Sequence, residues 1–413
     1  MDKLTVRDIE VGGQRALVRV DFNIPLDDKT GNITDDSRIR ATLPTLEYLI
    51  DRGARVILCS HLGRPGGKVV RKLSLAVAAR RLSQILRQPV KFAHDCIGPK
   101  PAKAAAVLKS GEVLLLENLR FHPDEEKESP DFAQALARLG DIFVNDAFGT
   151  SHRSHASITG VTNYLPAVAG LLLEKEINSL GNLLKNPAHP FGVLLGGAKV
   201  SDKVGMLDNI MGKVDYILIG GGMAATFLKA RSYEVGLSLV DASTDTADRL
   251  MKKAAKNGVR LLLPEDVLIA NKTSAGARVE NVVIADISHN KRIVDIGTLT
   301  ISNFTRELER CRTVFWNGPM GIAEIPRFAE GTKAMAEIIA NLNAITIVGG
   351  GSTAEMVTEL KLAEKMSFVS TGGGASLRFL SGETLPGVEA LRDKPQPSKE
   401  LEPTGNCHYK ESA

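Results

Sequence analysis

Apolar runs of four or five residues recur along the chain, each closed by a charged or glycine-rich loop. Longer stretches with apolar positions three and four apart lie between them. The first half holds ALVRV, RVILC, VLLL and DIFV, and the second GVLL, YILI, TVFW, ITIV and SFVS. Such runs predict strands, and the segments of helical period, such as Ser74 to Leu86 and Thr246 to Lys256, predict helices. Their alternation predicts βαβ units around a parallel sheet. A chain of 413 residues exceeds what one hydrophobic core usually serves. The expected fold class is therefore α/β, with two doubly wound, mostly parallel-sheet domains of similar size. From Leu171 to Leu180 the apolar positions again fall three and four apart, and Pro187 and Pro190 follow, so a helix and hinge over 171–186 is expected to join the domains.

The loops that close the runs differ between the halves. In the first half they read Asp21-Phe22-Asn23, Ser60 to Pro65, Glu117 to Arg120 and Asn145 to Gly149. In the second they read Gly196-Gly197-Ala198-Lys199, Gly220 to Gly222, Asn317-Gly318-Pro319, Gly349 to Gly351 and Gly372 to Gly374. Ligands of open α/β sheets bind outside the carboxyl ends of the strands, so two sites are expected, one of side chains and one largely of backbone.

Charge narrows the partners. The 52 basic and 48 acidic residues give a formal +4 with no basic stripe or tail, so nucleic acid is not expected. No run approaches the ~20 apolar residues that span a bilayer, and MDKLTVRDIE lacks the apolar core of a signal peptide, so a soluble, cytoplasmic protein without membrane partners is expected. Cys59, Cys96, Cys311 and Cys407 lack C-x-x-C spacing and read as free thiols, those at 59 and 311 buried beside strands.

Arginine's planar fork suits phosphate and carboxylate oxygens, and Arg38, Arg64, Arg120 and Arg153 lie in or near the strand-end loops. Together they suit a small, multiply anionic ligand, although surface arginines are common. His61, His152 and His155 read equally well as ligand-facing or structural. Asp21 and Asn23 can bind hydroxyl groups or form a turn. In the second half, glycine lets backbone N–H groups approach phosphate, and a helix start adds its positive end. Neither G-x-x-x-x-G-K-[ST] nor G-x-G-x-x-G occurs, which argues against a Walker-type NTPase and a dinucleotide enzyme. Lys199 and Lys203 are spaced to share a helical face toward phosphates, a spacing that equally marks a solvated surface.

Taken in order, Val18 to Asn23, Ser60 to Pro65, Glu117 to Phe121, Asp146 to Arg153, Gly196 to Lys203, Trp316 to Gly321 and Ser370 to Ser376 resemble phosphoglycerate kinase, over about residues 4 to 391. The resemblance implies a monomeric, two-domain hinge enzyme that moves the acyl phosphate of 1,3-bisphosphoglycerate reversibly to ADP with Mg²⁺, giving ATP and 3-phosphoglycerate. It assigns 1–170 to phosphoglycerate, 187–380 to nucleotide, 381–391 to a segment returning to the first domain, and leaves 392–413 as an extra polar tail. Asp21, Asn23, Arg38, His61, Arg64, Arg120 and Arg153 would hold the triose. Lys199 and Lys203 would contact nucleotide phosphates, as would Gly350, Gly351, Ser352 and Thr353. Gly197, Gly221 and Gly297 would shape the adenine region, and Asn317, Pro319 and Glu324 would line the nucleotide pocket. Arg38 and Lys199 would offset charge on the transferring phosphoryl group.

The chain departs from the family pattern at Ser352, where the metal-binding Asp is usual, so no protein ligand to Mg²⁺ is assigned. Thr298 stands for a usual Pro and Arg378 for a usual Glu. Ser352-Thr353-Ala354-Glu355 has the form of a capping box, so Ser352 is expected to cap a helix. The alternative function, an impaired relative that binds ligands or partners, rests on Ser352.

Overall fold

The computed structural model describes residues 2–241 and 244–395. The first sheet contains β1 (Arg15–Arg19), β2 (Arg55–Cys59), β3 (Val90–Ala93), β4 (Val113–Leu116), β5 (Ile142–Asn145) and β6 (Ala167–Ala169). Its strand order is β3-β4-β2-β1-β5-β6, and every pairing is parallel. Residues 191–262 add β7 (Phe191–Leu195), β8 (Tyr216–Ile219) and β9 (Arg260–Leu262). A small antiparallel sheet follows, with β10 (Asp266–Ala270), β11 (Val279–Val283) and β12 (Arg292–Ile296) in the order β11-β10-β12. Then β13 (Thr313–Asn317), β14 (Ile345–Gly349) and β15 (Phe368–Val369) complete a second parallel sheet in the order β15-β14-β13-β7-β8-β9.

The uninterrupted apolar runs arise because both faces of each parallel sheet are covered. Leu17, Ile57, Leu114 and Phe143 join one core, while Ala16, Val18, Val56 and Val144 join another on the opposite face. The helix Leu171–Lys185 presents Leu173, Ile177 and Leu180 to the first of these cores. That core continues to Phe191, Val193 and Leu195 of the second sheet, so one apolar body spans both. Cys59, Cys96 and Cys311 are buried free thiols, and Cys407 lies outside the described residues.

The chain's end packs on the first sheet. Gly387 donates its N–H to Ser151 and accepts from the Asn145 side chain, while Arg392 N–H reaches Ala167 O at 3.0 Å and Arg392 O accepts from Leu4. Lys3 and Asp393 form an ion pair at 2.8 Å. Arg392 and Asp393, expected within a free polar tail, are thus tied to the first strands, and residues 396–413 of that tail lie outside the described residues.

The strand order places the ligand loops. Connections leave β1 toward β2 on one side and β5 lies on the other, so the loops after β1 and β5 flank a topological switch point. In the second sheet the same reversal falls between β7 and β13, whose loops are Gly196 onward and Gly318 onward.

Candidate active site

The side-chain site grows from the end of β1. Asp21 is 7% exposed and forms an ion pair with Arg38 from the helix Ser37–Ala41, and its other oxygen lies 3.9 Å from His61 Nδ1. Burial pushes the Asp21 carboxyl up, but the Arg38 and Arg19 guanidinium groups and the Asn23 N–H hold it at about 2. Asp21 is an anion that aims Arg38. Burial, helped by Arg19, Arg120 and Arg38, keeps His61 neutral, well below 6.5, against the pull of Asp21.

Asn23 accepts from Gly63 N–H at 2.8 Å and so holds the loop that carries Arg64, which is exposed. Asn118 braces the same loop. Its oxygen accepts from Leu62 and Arg120 N–H groups, and its amide donates to Leu62 and Leu73 carbonyls. Arg120 donates to Gly63 O at 2.9 Å and sits 3.0 Å from Glu126. Burial lowers the Arg120 pKa, Glu126 opposes that, and Arg153 lowers it further, which places the two arginines in one field. Arg153 touches His152 at 3.2 Å. His155 is brought down to about 4 by burial and then by Arg19, Arg120 and Arg153. Uncharged histidines among crowded guanidinium groups leave a cationic pocket with no excess protons, which suits an anion.

Beneath this pocket lies a network that sequence reading missed. Arg19, an apparent interruption of an apolar strand, is 1% exposed and donates to Ser157 Oγ at 2.9 Å and faces His61 Nδ1 at 3.3 Å. Ser157 donates in turn to the buried Glu125. The one available signal was an arginine inside an otherwise apolar strand.

The backbone site forms where the β7 and β13 loops cross. Gly196 N–H donates to Asn317 O, Gly197 N–H to Pro319 O and Gly221 N–H to Met320 O. Gly221 has φ +62°, and a Cβ there would stand 2.6 Å from Gly197 N and Pro319 O, so only glycine fits. These loops line a cavity of about 660 Å³ with Gly197, Gly221, Pro319, Glu324 and Ser352 among its walls.

Several expectations change here. Lys203 is buried beside Gly197, whereas Lys199 is exposed in an irregular segment, so the two do not share a helical face. Burial lowers the Lys203 pKa, with Asp202 opposing it. Gly297 is not on the cavity wall. It precedes the helix Thr298–Leu308, and a side chain there would run into Asp266 and Asn281; Ile293 and Val294 line the cavity instead. Asn317 is likewise off that wall, buried beside Gly349 and Gly350 with its Nδ2 unpartnered. Ser352 does not cap. The helix Gly351–Glu359 has Gly350 at its N-cap, with φ +92° and no side-chain cap bond, which places Ser352 in the first turn. Thr353 faces inward and accepts from Gly318 N–H at 2.8 Å, tying the β13 loop to the β14 helix.

A second cleft, of about 500 Å³, joins the two halves, with Asn23, Asp35 and Arg38 on one side and Gly351, Thr371 and Gly373 on the other. Two buried acids brace it. Glu176, from the helix Leu171–Lys185, accepts from Ser370 Oγ, Thr371 N–H and Thr371 Oγ1 at 2.7, 2.7 and 2.8 Å. Asp146, at the end of β5, accepts from Leu172 and Leu173 N–H groups and so caps that same helix from outside. Burial raises both carboxyls to about 7, against their hydrogen bonds.

An anion pocket of side chains and a pocket of backbone amides, each at a switch point, fit a phosphotransferase that moves a phosphoryl group between a small anionic acid and a nucleotide. The family described as Phosphoglycerate kinase matches residues 6–383. Phosphoglycerate kinases of Moorella thermoacetica and Chloroflexus aurantiacus are 52% and 54% identical over 395 and 399 residues, covering 95% of this chain and all of each relative. The solved phosphoglycerate kinase of Coxiella burnetii superimposes with a TM-score of 0.81 at 39% identity, and that of Pyrococcus horikoshii with 0.82 at 31%; each comparison covers 94% of this chain and 98% of the other. The chain belongs to the phosphoglycerate kinase family. It is a kinase, and its reaction is the reversible transfer of the acyl phosphate of 1,3-bisphosphoglycerate to ADP. Nothing in these relatives favours the binding-only alternative.

Proposed function

We propose that Arg38, aimed by Asp21, meets the transferring phosphoryl group in the cleft and that Lys199 joins it from the opposite side. Asp21, Asn23, His61, Arg64, Arg120 and Arg153 bind the triose. Gly197, Lys203, Gly221, Pro319, Glu324, Gly350, Gly351 and Ser352 bind ADP or ATP, with Asn317 supporting the phosphate end from behind. The supporting observation is the cleft itself, which has the Arg38 guanidinium on one wall and the first turn of the Gly351–Glu359 helix on the other. Helix starts and unpartnered buried donors such as Asn317 Nδ2 fit a phosphate. Phosphoryl transfer requires positioning and charge stabilisation more than covalent help, so no general base is needed.

The residues around Ser352 do not fit a protein-held Mg²⁺. Among the described residues, the one grouping of metal-ligating side chains is Asp95, Cys96 and His122, none of which lines either cavity. Mg²⁺ therefore arrives on the nucleotide's own phosphates. The working unit is a cytoplasmic monomer with a phosphoglycerate domain at 1–170, a hinge at 171–186 and a nucleotide domain at 187–380. Among the described residues no helix is long and apolar enough to cross a membrane. An assay coupling 3-phosphoglycerate to ATP consumption tests this reading. Turnover well above blank is expected, and its absence at high Mg²⁺ would overturn the assignment.

A further inference from the structure

Away from both cavities, three side chains of metal-binding type meet at the carboxyl edge of the first sheet. Strands β3 and β4 pair in parallel, so the loops that follow Ala93 and Leu116 emerge together, where open α/β sheets take ligands. The first loop supplies Asp95 and Cys96, and the second supplies His122 after the turn Leu119–Phe121. His122 Nε2 lies 2.8 Å from Asp95 Oδ1, and that oxygen also accepts from Cys96 N–H at 2.7 Å. One ligand atom from each residue, the Cys96 Sγ included, falls within 4.8 Å of the other two. Cys96 is fully buried and Phe132 packs beside the His122 ring with centroids 5.4 Å apart, while the Asp95 and His122 side chains keep 47% and 29% exposure. The cluster is thus fixed from behind and open to solvent on one side. Among the described residues neither Cys59 nor Cys311 has such neighbours.

We propose that Asp95, Cys96 and His122 form a site for a divalent cation of the zinc class, which staples the β3 loop to the β4 loop and stabilises the first sheet. Thiolate and imidazole are donors that select zinc over magnesium, and three protein ligands with one water complete a tetrahedron. Bonds of about 2.0–2.3 Å put tetrahedral ligand atoms roughly 3.3–3.6 Å apart, so the Asp95–His122 pair opens by about half an ångström and wider pairs close by about one at most. Coordination exchanges the thiol proton for the cation, and the proton leaves to water. This cation is separate from the Mg²⁺ carried by the nucleotide, which prefers oxygen ligands and keeps its waters. It takes no part in phosphoryl transfer.

The test titrates the metal-free full chain with Zn²⁺ by calorimetry and with Co²⁺ by absorption, where a cobalt–thiolate charge-transfer band reports the sulfur. Wild type is expected to bind one equivalent of each, to show that band, and to gain in thermal midpoint with Zn²⁺. Cys96→Ser should abolish the band. Cys96→Ser and His122→Gln should each weaken Zn²⁺ binding by at least about a hundredfold, since groups that merely brace a ligand already cost roughly tenfold to a hundredfold, and both should lose the Zn²⁺-dependent gain in midpoint. Cys407 stands beside His408 in the sequence, so Cys407→Ser is the control and should bind as wild type does. No band in wild type, or a band that survives Cys96→Ser, would overturn the proposal. Were Cys96→Ser to fail to fold, His122→Gln decides, because its ring is partly exposed, and an unchanged Zn²⁺ affinity there rejects the site.

Discussion

Arg38 and Asp21 form the ion pair to which the proposed mechanism gives the central role. Removing the guanidinium takes away a charge that a phosphoryl-transfer site uses for on the order of 10³ to 10⁵ in rate, so Arg38→Ala is expected to lower kcat by at least about a thousandfold. A fall smaller than tenfold in steady-state assays would remove Arg38 from the catalytic role. Ser352 makes the complementary case. It stands in the first turn of the Gly351–Glu359 helix, on the 660 Å³ cavity proposed for the nucleotide, where a carboxylate would meet both the helix's positive end and a nucleotide-borne cation. A charge-assisted contact is worth about 1.5–3 kcal/mol, so Ser352→Asp is expected to tighten Mg-ADP binding roughly tenfold to two-hundredfold by calorimetry. Unchanged or weaker binding would show that the position does not address the metal. At this scale the motif-borne residues were legible from the chain alone, since Asp21, Arg38 and His61 do converge. Arg19, Glu125, Asp146 and Glu176 were not. Arg19 shows only as a charge inside an apolar strand, and the three acids carry no sign of their roles until remote partners, such as Ser157 or Ser370, are brought beside them.

Among the elements, the helix Leu171–Lys185 carries the connection between the sites. Asp146 from the first sheet fixes its start, and Glu176 along its length holds the Ser370–Thr371 loop of the second. Both carboxyls are raised to about 7, from 3.8 and 4.5. Below 4.5 the Glu176 carboxyl is protonated in folded and unfolded chains alike. Between 4.5 and about 7 the folded protein keeps a proton that the unfolded chain has released, so this group's contribution falls as pH rises through that window. Glu176→Gln abolishes that slope. Its urea midpoint is expected to gain on wild type from pH 5 to pH 7 and to hold a constant offset above it, and a pH-independent difference would contradict the raised value. The major parallel strands were legible because burial on both faces leaves uninterrupted apolar runs. The antiparallel β10–β12 sheet was not, because β11, VENVV, is half exposed and mixes polar with apolar positions without a clean alternation.

For the molecule as a whole, two parallel sheets were expected from chain length and the alternation of runs, and two ligand sites from the loop chemistry, whereas a cleft lined from both halves was implied by the family resemblance. The return of the chain's end to the first sheet came from the family resemblance alone, since backbone pairing between residue 392 and residues 4 and 167 leaves no periodicity to read. Those bonds predict that ending the chain at Leu385 will destabilise the first sheet more than the second. Hydrogen exchange resolved by region should show faster exchange in β5 and β6 than in β13 and β14, and uniform protection would refute it.

The same tie also sets an order of assembly during synthesis. Chains emerge at about 5–20 residues per second and fold from the start onward, so the first sheet has its strands in hand well before the second is complete. Yet the partner for Leu4, Ser151 and Ala167 lies among the final described residues and leaves the ribosome after all six strands of the second sheet. The lobe that is made first is finished last, and every truncated nascent chain carries an open edge where its own ending belongs.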